Sequence, residues 1–219
     1  SRMGAREARH DPAAPVGWHW AAQYGARKAG LPPGSLVHVG QASEADVRIT
    51  LTTYDSRRHE RRECADIETC LAQTQADGIH WINIDGLHDT ALLEKLGGHF
   101  DLHPMLLEDV LNTTQRPKCE DFGQHLLVIV KMLTYNPDSE CIDIEQVSLV
   151  LGRHVVMSLQ ERPGDVFGPL RDRLANARGR VRTMDAAHLL SARLDTVSEN
   201  YFAPPEALGE QMTAIENGM

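Results

Sequence analysis

Two pairs of carboxylates and one pair of histidines have the spacing from which metal chemistry could be built. Glu108 and Asp109 are adjacent in "HPMLLEDVLNTTQRPKCEDF", His103 to Phe122, an apolar run that stops before Pro117. Asp195 and Glu199 are four residues apart, so on a helix they share a face. Like charges so placed repel by about a few tenths of a kcal/mol in water. The cost rises if another chain covers the face and excludes water. A divalent cation would then neutralise the pair; hard oxygen ligands suit Mg²⁺ or Ca²⁺, and Mg²⁺ keeps several of its waters. Spacing alone also allows a solvated polar face for both pairs, and carboxylates are favourable near a helix N-terminus in any case. For Glu108 and Asp109, the stretch by itself favours the solvated face.

His99 and His103 form an HxxxH spacing that would put both imidazoles on one helical face, as zinc sites need. Gly97-Gly98 and Pro104 argue against a continuous helix there, and no third ligand has telling spacing. Two ordinary polar histidines are the better reading. Nucleophilic catalysis has no support: GxSxG, Cys-His and P-loop lysine motifs are all missing, and an enzyme is not expected. The prolines of "GLPPGS" remove the backbone N–H groups that a phosphate would need. Trp18, Trp20 and Trp81 make no aromatic, basic surface.

The elements that must position these residues alternate between strand and helix patterns. Residues 1–33, rich in Ala, Gly, Pro and charge, read as a poorly ordered lead-in. "SLVHVG" and "DVRITLTTYD" read as strands, "RRECADIETCLAQTQADG" as a helix ended by Gly78, and "IHWINIDG" as a strand. "DTALLEKLGGHF" reads as a helix capped by Asp89. In the next helix Pro104 suits the first turn, and Leu106, Leu107, Val110 and Leu111 share its apolar face. "QHLLVIVKMLTY" has the unbroken apolar centre of a buried strand. "NPDSE" is a turn, and "IDIEQVSLVLG" with "HVVMSLQE" reads as a hairpin turning at Gly152-Arg153. "GDVFGPLRDRLANARGR" is a helix with a late regular start at Gly168-Pro169. From Thr183, the residues Ala187, Leu190, Leu194, Val197, Tyr201, Leu208 and Ile215 follow a heptad, which predicts a long helix packed on another helix, kinked at Pro204-Pro205. That pattern reaches the last residues without a stop signal, as expected of a piece of a longer protein. The fold class is α/β, with a sheet covered on both faces.

Composition narrows the function. The formal net charge of −9 disfavours a nucleic-acid partner, which is gripped mainly through Lys and Arg, and suits the attraction of cations. Cys64, Cys70, Cys119 and Cys141 form neither a CxxC nor a disulfide framework, so reduced thiols in a cytosolic setting are expected. No apolar run reaches the roughly 20 residues that cross a bilayer, and no signal peptide is visible, so these residues by themselves predict a soluble chain.

In order along the chain, "KAGLPPGSLVHVG", "HWINIDGLHD", "HPMLLEDVLNTTQRPKCEDF", "EQVSLVLG", "SLQERPGDVFGPLRDRL" and "LDTVSENYF" together resemble the cytoplasmic amino-terminal part of CorA-type divalent-cation transport proteins, over roughly residues 28–215. "HPMLLEDVLNTTQRPK" is the most specific segment. The resemblance implies a homopentameric membrane channel whose cytoplasmic α/β/α sandwich, with a mixed sheet, leads through a long stalk helix into two transmembrane helices. It divides this chain into a lead-in over 1–33, an α/β/α domain over 34–182, and the start of a stalk helix over 183–219, truncated before the membrane. The family's pore loop is Gly-Met-Asn after the first span; the terminal Gly218-Met219 lies in the wrong context for it, so the pore is missing.

By the same resemblance, Mg²⁺ bound between neighbouring cytoplasmic domains favours the closed channel, with Co²⁺ or other divalent cations as further ligands. The implied metal residues are Asp109, Glu108, Asp195 and Glu199, the last standing where Asp is frequent in the family. The main partner carboxylate would come from the adjacent subunit's stalk, beyond this chain. The implied partners are further copies of the chain, a pentamer in the full-length protein, and its own transmembrane domain, with this portion on the cytoplasmic side of the cell (inner) membrane. A related zinc transporter and a free-standing soluble metal-binding oligomerisation module are the alternatives. A metal-dependent hydrolase ranks last, because no base, nucleophile and open metal site converge.

Overall fold

Alternating β-branched and apolar residues in "RITLTTY" make β1, Arg48–Tyr54, which pairs on both sides. On one side it meets β2, His59–Cys64, and on the other β3, Ile79–Asp85, both antiparallel. The computed structural model describes residues 36–40, 46–75, 77–136, 141–176 and 180–201. Across them, α1 spans Ile67–Gln73, α2 Thr90–Phe100 and α3 Pro104–Leu111. The strands β4, Lys118–Asp121, β5, Leu126–Asn136, β6, Cys141–Leu151, and β7, Val155–Gln160, follow. A 3₁₀ turn at Val181–Thr183 then separates α4, Gly168–Ala175, from α5, Ala186–Asn200.

The seven strands form one mixed sheet in the order β2-β1-β3-β7-β6-β5-β4, with β3 and β7 parallel and every other pair antiparallel. All six residues of β7 are buried, as expected of a strand covered on both faces. Side chains alternate between two cores. On one face Ile82, Ile84, Leu127, Ile129 and Met157 pack against α1, α2 and α3. On the other, Trp81, Val128, Val147, Leu149 and Val156 pack against Phe167, α4 and α5. The layering is the expected α/β/α arrangement.

Several local expectations change. "SLVHVG" contributes only a single parallel bridge, Val39 to Asn112, rather than a strand. The segment expected to begin a helix at Arg61 is instead β2, paired from Ile49–Cys64 to Tyr54–His59, and α1 starts only at Ile67. Pairing with β1 overrides the helical preference of "HERREC", whose charges suit an exposed sheet edge. The opposite edge, β4, is also short and charged. Gly97 and Gly98 lie inside α2, and the chain breaks instead at Asp101, at φ 54°. Gly97 stays small because a Cβ there would collide with Leu107 of α3.

In the region expected to begin the stalk, the described helix is α5, and it packs on the sheet. Its buried face is Ala186, Leu189, Leu190, Arg193 and Val197, while Ala187 of the heptad is exposed. Leu208, Ile215 and Pro204-Pro205, on which the expected long stalk helix and its kink depend, lie outside the described residues, as do the expected lead-in and most of the expected "NPDSE" turn. Among the described residues no helix is long and apolar enough to cross a membrane.

Candidate metal-binding site

The Glu108-Asp109 pair rides on α3, whose start and end are both tied down. His103 caps it, its Nδ1 accepting from the Met105 N–H at 3.1 Å, and Pro104 occupies the first turn where a missing N–H costs nothing. Leu106, Leu107, Val110 and Leu111 are buried against the sheet, as their spacing predicts. At the far end, the N–H of Val39 donates to the Leu111 carbonyl at 2.9 Å and the N–H of Thr113 donates back to Val39 at 3.0 Å. Gln146 of β6 donates to the Asn112 carbonyl at 3.1 Å, and Lys131 of β5 to the Thr113 carbonyl at 3.0 Å. Burial lowers the pKa of Lys131, with the charge of Glu161 opposing.

Asp109 therefore lies in a helix anchored at both ends, and both its carboxylate oxygens are engaged within the chain. Gln115 Nε2 donates to Oδ1, and Lys118 Nζ sits 2.8 Å from Oδ2. Lys118 also reaches Glu120 Oε2 at 2.7 Å, so one ammonium lies between two carboxylates. Burial draws the Lys118 pKa down, but its bonds to Asp109 and Glu120 outweigh that and raise it. Glu108 is half-buried beside Asp109. Sequence reasoning missed Gln115 and Lys118; the only signal was "QRPK", a turn followed by a charged edge strand.

Asp195 and Glu199 are exposed on α5. Because α3 and α5 cover opposite faces of the sheet, one chain does not gather the four carboxylates around one point. Among the described residues no group of three or more His, Cys, Asp or Glu could hold a metal ion. The histidine pair is absorbed by structure. His99 lies edge-on to Phe100, with centroids 4.7 Å apart, and His103 Nδ1 is committed to its cap. Cys64 and Cys70 are free and buried, and Cys119 is free and exposed.

The second core contains the polar groups that sequence patterning did not place. Trp81 Nε1 donates to Ser158 Oγ at 3.1 Å, Ser158 donates to Asn83 Oδ1, and Asn83 donates to Asp85 Oδ1 at 2.9 Å. Arg193 is fully buried, 3.6 Å over the Trp81 ring, and among the described residues its guanidinium has no hydrogen-bond partner. Desolvation pulls its pKa well below the usual arginine value, the neighbouring Arg171 adds to this, and Asp165 and Tyr54 oppose it.

A mixed sheet layered with helices on both faces is the architecture of known soluble transporter domains. The soluble domain of CorA from Methanocaldococcus jannaschii shares the fold at a TM-score of 0.59 and 14% identity, over 81% of this chain and 66% of that one. The full-length CmaX protein shares it at a TM-score of 0.63 and 18% identity, over 82% and 54%. The chain belongs to the family of CorA-like Mg²⁺ transporter proteins, whose model matches residues 76–219. It is 36% identical to the cobalt/magnesium transport protein CorA of Thermotoga maritima, over 86% of this chain and 54% of that protein. The chain spans about half the length of the curated relatives it matches.

Proposed function

We propose that this chain is the cytoplasmic regulatory domain of a CorA-like magnesium or other divalent-cation transporter, and that cation bound between subunits favours the closed channel. The division of the two acidic pairs between opposite faces of the domain carries the reading. An ion shared by both faces has to be held between two copies. Asp109 is the first ligand candidate, with Glu108 beside it, and Asp195 and Glu199 belong to the opposing surface. The donor chemistry fits: carboxylate oxygens suit Mg²⁺, and Asp109 with Glu120 already holds one positive charge.

In a homopentamer attached to its own transmembrane domain, apposed acidic faces repel each other. Bound Mg²⁺ offsets that repulsion and selects the closed arrangement, by no more than its differential affinity for the two states. Loss of the cation releases the constraint, so the transported ion limits its own entry. The experiment is a Mg²⁺ titration of protease protection in the full-length protein. Wild type should gain protection with Mg²⁺, and Asp109→Ala should need far more; equal responses would remove Asp109 from sensing. Uptake assays with Mg²⁺, Co²⁺, Ni²⁺ and Zn²⁺ decide between a magnesium and a zinc transporter.

A further inference from the structure

We propose that Lys118 is a tethered counter-ion that competes with the divalent cation for Asp109, and so sets the cation concentration at which that carboxylate is engaged. The inference rests on Asp109 being a metal ligand, as proposed above. Its basis is the occupancy of the Asp109 carboxylate. Oδ2 faces the Lys118 ammonium at 2.8 Å and Oδ1 accepts from Gln115, so a cation arriving at Asp109 meets a carboxylate whose charge is already offset by an ammonium in contact with it. The side chains of Lys118 and Asp109 are only 29% and 16% exposed, against 55% and 58% for the surface pair Lys95–Glu68. The first contact is correspondingly less screened by salt and water.

The same geometry provides for the release of the ammonium. Lys118 and Glu120 are two residues apart on β4 and so lie on one side of the strand. Glu120 holds Lys118 at 2.7 Å, and its side chain is 49% exposed. When a cation takes Asp109, the ammonium retains Glu120 and gains water instead of being stranded in a dry site. Only the chain whose Lys118 has let go binds the cation, so the apparent affinity falls by the fraction of chains in that state. Removing the ammonium raises this fraction. Removing Glu120 lowers it, because Lys118 then loses the carboxylate that holds it when it leaves Asp109.

The test is the Mg²⁺ midpoint for protease protection of the full-length protein in 0.15 M KCl (about an 8 Å Debye length). The variants are Lys118→Gln, Lys118→Arg, Glu120→Gln, Asp109→Asn and Arg116→Gln. Arg116 is exposed and lies in the same turn, so it reports the loss of one positive charge without the contact. Lys118→Gln should lower the midpoint by about tenfold, which is roughly 1.4 kcal/mol. Lys118→Arg should stay at or above wild type, Glu120→Gln should move the midpoint upward, and Arg116→Gln should change it by less than about twofold. Opposite shifts for Lys118→Gln and Glu120→Gln are not what general loss of structure produces, and thermal melting identifies any variant that fails to fold. A Lys118→Gln midpoint equal to that of Arg116→Gln, with the response still abolished in Asp109→Asn, overturns the competition and leaves sensing intact. A wild type without a Mg²⁺ response, or an Asp109→Asn variant that keeps it, overturns both readings.

Discussion

Replacing Asp85 by Asn should stabilise the chain at neutral pH and do nothing in acid. Asp85 ends β3, opposite Arg48 on β1 and Gln160 on β7, and is 7% exposed. Burial pushes its carboxyl pKa up from 3.8 to about 6, with the hydrogen bond from Asn83 and the charges of Arg171 and Arg48 opposing and Asp165 adding to the rise. The folded chain thus holds this proton more tightly than the unfolded chain does. Stability falls as pH rises from the unfolded pKa through the folded one, and the loss is complete above it. A shift of about two pH units corresponds to roughly 3 kcal/mol. Asn keeps the Oδ1 acceptor for Asn83 and, like the protonated acid, carries no charge; the attractions of Arg171 and Arg48 are already contained in the net shift, so the expected gain approaches that figure at pH 7.5. Urea unfolding of both chains, followed by tryptophan fluorescence from pH 4 to 8, measures it. The difference should be near zero at pH 4, grow between about pH 4 and 6, and level off above. A difference independent of pH, or a variant that loses stability as pH rises, would refute the reasoning.

Three further outcomes are expected. Glu145, pushed by burial from 4.5 to about 7 against its backbone bond from Arg162, should behave alike. Glu145→Gln should then gain stability over a window that closes about one pH unit higher than for Asp85→Asn, read from the same urea series. Leu106→Ala, at a position with no exposed surface, should cost about 2–5 kcal/mol in urea unfolding and loosen the turn that carries Asp109. Arg193→Met should raise the melting temperature by relieving a buried guanidinium that has no hydrogen-bond partner among the described residues, for a net gain of about 1–2 kcal/mol after the loss of stacking on Trp81. A drop in melting temperature would mean that the stacking outweighs the desolvation.

What the sequence determined by itself is local. The cap of α2 at Asp89, the aliphatic face of α3 and the β6–β7 hairpin follow from side-chain spacing and turn chemistry, and all were legible. The acidic residues were legible as candidates, because carboxylates at helical spacing can be read directly. What only the tertiary structure decided is pairing between distant segments. β2 is polar and reads as helix; it is a strand because β1 offers an unpaired edge. Along α5, Leu190, Leu194, Val197 and Tyr201 of the heptad pack on the second core and Ala187 does not, while Arg193, a charged residue that an apolar pattern passes over, occupies a core position over Trp81. Asp109 looked like an acid facing outward, and the fold instead brings Lys118 to it from across a proline turn and an edge strand. The physical reason is one of range. Capping, turns and amphipathic faces are written within a few residues, whereas strand order and ion pairing depend on which segments the assembled sheet brings within about 3 Å of each other.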